Sequence, residues 1–124
     1  MPASNEAVRA VVEQYVALVG SGTAQEISAL YADGATVEDP VGKEPLRTRE
    51  QIEAFYATLE GMEQETSLLT ARVVAGEAVF HFEVRTKVGD QTYVLSPIDV
   101  MTFDDDARIT SMRAYWSDTD MTVA

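Results

Sequence analysis

The chain contains no cysteine, so disulfides, thiol nucleophiles and thiolate metal sites are excluded. Histidine is nearly absent, since His81 is the only one and falls on the polar side of its predicted strand. A histidine metal site or a Ser-His dyad therefore has little support. No glycine-rich phosphate loop is present either. The chemistry is expected to come from carboxyl groups and phenols. A metal site built from carboxylates alone is the alternative, but Asp104, Asp105 and Asp106 have the pattern of a solvated turn.

Positive charge is scarce. Nine basic residues stand against 21 acidic ones, which gives a net charge of -12. Nucleic acid, anionic membrane surfaces and polyanionic substrates are therefore poor candidates for partners.

Long apolar runs are also missing. No segment approaches the length of a membrane span, and the first residues, Met1 to Glu6, lack a basic, apolar leader. We expect no membrane insertion and a cytoplasmic location. At 124 residues, with no linker or internal repeat, the chain is predicted to form one domain, 1–124.

The first half has helical periodicity. Apolar residues from Val8 to Val19 repeat at helical spacing, and Gly20 to Gly22 stop the run. Thr23 with Glu26 is a capping-box signature for a second helix, which is predicted to carry Ile27, Leu30 and Tyr31 and to end near Gly34. Thr48 with Gln51 predicts a third helix, carrying Ile52, Phe55, Tyr56 and Leu59.

The second half alternates as strands do. Strands are predicted over 66–75, 78–88, 93–103 and 109–116, joined by turns at Gly76-Glu77, at 88–91 and at 104–106. Consecutive strands with tight turns indicate an antiparallel meander. The predicted class is α+β, with three N-terminal helices packed on one face of a curved, mainly antiparallel sheet.

Asp99 is unusual because it lies inside an apolar strand, where an unpaired ionised carboxylate would be very costly. It is expected to raise its pKa and stay protonated, which makes it a donor able to stabilise an oxyanion. The alternative is a structural acid paired with Arg113 on the last strand.

Asp39 and three tyrosines are the other candidates. Asp39 precedes Pro40 among apolar residues, so it is either a general base at the mouth of a cleft or the start of a turn. Tyr15, Tyr31 and Tyr56 lie on predicted apolar helix faces. They are either ordinary core residues or a hydroxyl network shared with Asp99.

Apolar residues on two strand faces and one helix are candidates for the wall of an apolar ligand slot. The alternative is that they are ordinary core residues. The predicted members of this candidate apolar wall are Phe55, Phe80, Phe82, Val84, Met112, Ala114 and Trp116.

The chain resembles the bacterial Δ5-3-ketosteroid isomerases in order over nearly its whole length. The segments that carry the resemblance are 9–19, Ala32 to Gly42, Ala54-Phe55-Tyr56, Pro97 to Met101 and Ser111 to Trp116. It implies a cone-shaped fold like nuclear transport factor 2, a homodimer formed through the sheets and a 3-ketosteroid substrate. Thr86 and Ser96 depart from the apolar residues often found at those positions in relatives, which bears on steroid preference.

The resemblance also implies roles. Asp39 would be the general base, Tyr15 and protonated Asp99 the oxyanion donors, and Tyr31 and Tyr56 their supporting hydrogen-bond network. The reaction would convert 3-oxo-Δ5 to 3-oxo-Δ4 steroids through a dienolate, with no metal and no cofactor. The alternatives are a non-catalytic steroid- or lipid-binding protein, or another enzyme of this fold such as a polyketide cyclase or an epoxide hydrolase.

Overall fold

The computed structural model describes residues 2–124 and consists of three α-helices packed on a curved mixed sheet. The helices are α1 (Asn5–Ser21), α2 (Ala24–Ser28) and α3 (Arg49–Ala57), and a 3₁₀ turn covers Asp118–Asp120. The strands are β1 (Tyr31–Glu38), β2 (Glu63–Val74), β3 (Glu77–Val88), β4 (Gln91–Leu95), β5 (Ile98–Phe103), β6 (Ile109–Tyr115) and β7 (Thr122–Val123).

The sheet is organised around β3. One edge of this strand pairs with β2, and the other edge is shared by β4 and β5. The order continues from β5 through β6 to β1, and from β4 to β7. Only β1 and β6 run parallel, so the predicted mainly antiparallel α+β fold is confirmed.

Side-chain caps fix where the helices begin. Ser4 accepts a hydrogen bond from the backbone of the first turn of α1. The boxes predicted from Thr23 with Glu26 and from Thr48 with Gln51 are both formed. Each box satisfies two backbone donors that the helix itself leaves free.

The predicted C-terminal end of the second helix, near Gly34, is wrong. Helix α2 stops at Ser28, and Tyr31 is the first residue of β1 rather than part of the helix. The backbone N–H of Ile109 donates to the carbonyl of Leu30, so pairing with β6 captures this segment. Helix propensity over so few residues is weak, and tertiary pairing overrides it.

The strand predicted over 93–103 is two strands. It is interrupted at Ser96 and Pro97, and proline has no N–H to give to a sheet ladder. The carbonyl of Pro97 still accepts a bond from Phe82, so β4 and β5 follow the same edge of β3 in succession.

The core lies between the helices and the facing side of the sheet. From α1 it takes the buried residues Val8, Val12, Tyr15 and Val16. Within residues 2–124, no helix combines the length and apolar character needed to cross a membrane.

Candidate active site

A cavity of about 550 Å³ opens between α1, α3 and the sheet. Its inner end is polar and is lined by Tyr15, Asp39, Tyr56, Asp99 and Trp116. The middle is lined mostly by aromatic and aliphatic side chains. This is the size and composition typical of a site for a small, mostly apolar ligand.

Asp99 points into this cavity from the centre of the sheet. It pairs with Phe80 on β3 and Ala114 on β6, and it is only 1% exposed. Within residues 2–124, its Oδ1 is buried without a hydrogen-bond partner. Burial, and then the negative charge of Asp39, raise the pKa of Asp99 well above its usual range. This upward shift of the pKa favours the protonated form of Asp99, which can donate a hydrogen bond.

The alternative partner for Asp99 is occupied elsewhere. Arg113 lies one position away from Ala114, so its side chain leaves the opposite face of the sheet. There it contacts Glu38, with 3.3 Å between Nε and Oε1. The ion pair between Arg113 and Asp99, which was the alternative considered from the sequence, is thus not formed.

Three phenols from three different elements meet behind Asp99. The hydroxyl of Tyr56 on α3 lies 2.9 Å from that of Tyr15 on α1 and 2.7 Å from that of Tyr31 on β1. Burial is the largest cause that raises the pKa of each phenol well above its usual value. The structure therefore joins the three tyrosines in a chain in which Tyr56 is central, and both Tyr15 and Tyr56 line the cavity.

Asp39 follows β1 directly and faces the same cavity. Its Oδ1 accepts a 2.7 Å hydrogen bond from Nε1 of Trp116. Burial raises the pKa of Asp39, while the Trp116 bond and the charge of Lys43 oppose that rise. The turn interpretation holds at the same time, because the chain bends here and Val41 donates to the carbonyl of Ala114.

Comparisons with known proteins place this chain in a family. The model of the SnoaL-like domain matches residues 12–112. This chain belongs to the SnoaL-like family. It is also 53% identical, over 116 residues and 94% of each chain, to a steroid Delta-isomerase from Nocardioides simplex. The relationship expected from the sequence is thereby confirmed.

A solved structure shares the fold of this SnoaL-like chain. It is that of SalBIII, an epoxide hydrolase/cyclase-like enzyme connected with pyran ring formation in the polyether salinomycin. The TM-score is 0.86, the identity 21%, and the match covers 94% of this chain and 95% of the other. At that identity the match supports the fold alone, and the expected architecture is confirmed.

The candidate apolar wall divides into two groups in the SnoaL-like structure. Phe55, Phe82, Val84 and Trp116 line the cavity. Phe80, Met112 and Ala114 do not line it but are buried in the core beneath it. Phe80 packs edge-on against Tyr15, with 6.1 Å between ring centroids. Phe80 therefore supports Tyr15 from the side of the core.

Four polar lining residues were missed by the sequence interpretation. Lys43, Gln64 and Tyr93 were not singled out, and Thr86 was noted only as a departure from relatives. Strand parity would have found the last, since Thr86 shares a face with Phe82 and Val84. Among residues 2–124, no group of three or more His, Cys, Asp or Glu side chains is arranged to hold a metal ion.

Proposed function

We propose that this chain is a steroid Delta-isomerase that converts 3-oxo-Δ5 steroids to 3-oxo-Δ4 steroids. The observation that carries the proposal is Asp99, a buried acid without a partner for Oδ1 among the described residues. It opens on an apolar cavity that Tyr15 and Asp39 also line. The 53% identity to a steroid Delta-isomerase supports the same reaction.

Asp39 is the proposed base. Its carboxylate takes the proton on the carbon between the ketone and the double bond, and the electron pair of that C–H bond moves toward the carbonyl oxygen. Because burial raises the pKa of Asp39, the carboxylate is a stronger base than one exposed to water. The same group then returns the proton to the far carbon of the conjugated system, so no net proton is gained or lost.

Tyr15 and Asp99 are the proposed donors to the 3-oxygen, on which negative charge develops. Burial raises the pKa of both groups, which favours the protonated form that each needs in order to donate. One such donor is typically worth about 3 to 4 kcal/mol in the transition state. Two preformed donors in a cavity that excludes water can therefore lower the barrier substantially.

Tyr56 sets the direction of the hydroxyl chain in this proposal. It has one proton, so it can donate to only one of its two neighbours. If Tyr15 donates to the substrate, Tyr56 donates to Tyr15 and Tyr31 donates to Tyr56. Hydrogen bonds aligned in one direction polarise each other, which makes Tyr15 a stronger donor.

An ultraviolet assay tests the reaction directly. Conversion of a Δ5-3-ketosteroid to the conjugated enone is followed with the wild type and with Asp39→Asn. We expect the variant to lose about 10²- to 10⁴-fold in kcat while still binding the steroid. Asp90→Asn, in the exposed turn before β4, is the matched control and should retain the wild-type rate.

Two outcomes of this assay would contradict the proposal. A wild type that binds the steroid without converting it would be a binding protein or an enzyme for another substrate, such as a polyketide cyclase or an epoxide hydrolase. An Asp39→Asn variant with near wild-type turnover would show that the base is another group.

A homodimer formed through the outer face of the sheet belongs to the same proposal. Val79, Ile98 and Tyr115 lie there, each between 44% and 45% exposed, and Ile98 pairs directly with Tyr115. Adjacent exposed apolar residues of this kind are typical of interaction surfaces. Light scattering after size exclusion should give twice the mass of the chain, and Ile98→Asp should shift it to that of one chain.

A single domain over 1–124, a cytoplasmic location and catalysis without a cofactor remain predictions.

A further inference from the structure

The cavity has a second polar region at its open end. Gln64 on β2, Thr86 on β3 and Tyr93 on β4 are direct cross-strand partners and all line the cavity. We call these three residues the outer polar row. Side chains at one register position leave the same face of a sheet, so the row crosses the cavity floor.

The outer polar row lies far from the proposed catalytic end. Asp99 pairs with Phe80, and Thr86 follows Phe80 by six residues along β3. Six residues of extended strand span about 20 Å. Val88, two residues further on, also lines the cavity and is 56% exposed, which marks this end as the mouth.

Between the two polar ends, the cross-strand row at Val84 has no side chain that is free to bond a ligand. Val84 pairs with Leu95 on one side and Thr66 on the other. The Thr66 hydroxyl already donates to the carbonyl of Val16 at 2.6 Å. A ligand in this section therefore meets apolar surface.

The outer polar row, in contrast, retains hydrogen-bonding capacity. The Gln64 amide donates to the Thr86 hydroxyl at 3.0 Å, and this is the only side-chain hydrogen bond of either residue within 2–124. That bond leaves the Thr86 proton, one amide proton and the amide oxygen available. The Tyr93 hydroxyl donates to Gln91 and can still accept.

The charge of the lining indicates what these groups would bind. Among the described lining residues, Lys43 is the only cation, and it belongs to the segment beside Asp39 rather than to the outer polar row. A carboxylate at the mouth would have no adjacent lining cation, in a chain with a net charge of -12. Neutral oxygen, as in a ketone or an alcohol, matches the amide and hydroxyl groups of the row.

We propose that the outer polar row selects 3-oxo-Δ5 steroids that carry a neutral oxygen on the side chain of the fourth ring. A fused four-ring nucleus is about 10 Å long, comparable to three residues of extended strand. With its ketone at Asp99, the nucleus ends before Thr86, so the row contacts atoms beyond the rings. This inference rests on the proposed isomerase function, because that function defines which end of the steroid enters first.

The test compares steroids that share the reacting 3-oxo-Δ5 rings but differ in side-chain length and in where the second oxygen lies. The probes are the 3-oxo-Δ5 steroids with a ketone on ring carbon 17, a ketone on side-chain carbon 20, or a hydroxyl on side-chain carbon 24. We expect kcat/KM to favour at least one side-chain probe over the ring ketone in the wild type. Thr86→Val and Gln64→Leu should each reduce that ratio by about fivefold to tenfold, through KM rather than kcat.

Thr92→Val is the matched control, because Thr92 neighbours Tyr93 on β4 but does not line the cavity. It should preserve the wild-type preference. Two separate variants guard against a folding defect in one of them, and thermal unfolding of each is measured alongside. A wild type without the side-chain preference, or variants in which all three probes weaken equally, would overturn the inference.

A binding measurement separates this inference from the proposed reaction. Trp116 is the only tryptophan and lines the cavity, so its fluorescence reports occupancy without turnover. Titration uses the corresponding 3-oxo-Δ4 steroids. One outcome is that no probe is isomerised, while the wild type still binds a side-chain steroid more tightly and the variants do not. The proposed reaction would then be wrong, and the proposed role of the outer polar row would hold. If isomerisation is fast and binding shows no preference for side-chain steroids, the proposed reaction would hold and the proposed role of the outer polar row would be wrong.

Discussion

Nε1 of Trp116 donates a 2.7 Å hydrogen bond to Oδ1 of Asp39, across 77 positions of sequence. The indole thus holds one oxygen of the proposed base and leaves the other for the substrate. It also stabilises the charged form of the carboxyl group, which opposes the effect of burial on its pKa.

Replacing Trp116 with Phe should raise the pKa of Asp39, because the bond that lowers it is lost while burial remains. Proton abstraction needs the carboxylate, so the acid limb of the pH profile of kcat/KM should move to higher pH. The profile is measured with one steroid over the acid range. A change in KM with an unmoved acid limb would mean that Trp116 only shapes the wall.

Lys43→Met tests the same balance through charge. The nearby ammonium group lowers the pKa of Asp39, so its removal should move the acid limb in the same direction. Since Lys43 is exposed, the difference from wild type should shrink as salt is added, whereas the Trp116 effect should persist. Equal salt dependence of both variants would contradict this distinction.

The three tyrosines should have graded effects on turnover. Tyr15→Phe removes a proposed oxyanion donor and should lower kcat about 10²- to 10³-fold, with little change in substrate binding. Tyr56→Phe leaves Tyr15 without its hydrogen-bond partner and should have a smaller effect. Tyr31→Phe should have the smallest, because Tyr31 contacts Tyr15 only through Tyr56. Steady-state kinetics of the three variants measure the order, and a larger loss for Tyr31→Phe than for Tyr15→Phe would overturn it.

Because of Asp99, the free energy of unfolding should decrease as pH rises. The pKa of this carboxyl group is raised in the folded state, so between the ordinary carboxyl pKa and the folded value the folded chain holds a proton that the unfolded chain has lost. Unfolding then becomes easier with increasing pH, by up to about 1.4 kcal/mol per pH unit for one such group. Below the ordinary pKa both states are protonated and this contribution to the slope disappears.

Asp99→Asn should remove that part of the slope, because an amide does not titrate in this range. Urea unfolding of wild type and variant at several pH values compares the two slopes. Asp90→Asn, in the exposed turn before β4, is measured alongside as a control for the loss of one surface carboxyl group. A variant whose stability still falls as steeply as that of wild type would place the titrating group elsewhere, for example at Asp39.

The sequence predicted the class of fold because the two halves have different hydrophobic periods and clear caps. It could not predict that Tyr31 leaves the second helix, since the pairing with β6 depends on residues almost 80 positions away. Parity placed Phe80 and Phe82 on one strand face correctly. Parity does not say which residue of a face reaches the cavity. Only the packed structure shows that Phe82 lines the cavity wall while Phe80 packs against Tyr15.

The polar candidates were recognised for different reasons. Asp99 could be identified from its sequence surroundings alone. For Asp39 the residues left a base and a turn as alternatives, and the resemblance to a family favoured the base and gave Tyr15 its proposed role as an oxyanion donor. The hydrogen bond between Trp116 and Asp39 could not be predicted from the local sequence, because the two residues are 77 positions apart and meet only in the tertiary fold. Gln64 was missed for a similar reason, since its position beside Thr86 depends on the register of β2 against β3.

Strand β3 contributes to the cavity at every second residue from Phe82 to Val88. Successive contributions are about 7 Å apart, so neighbouring positions address different portions of an elongated ligand. Substitutions near the mouth can then accumulate without disturbing the carboxyl and phenol groups at the closed end. In this chain, the part of the cavity that touches the far end of a ligand can thus be changed independently of the part that would perform the reaction.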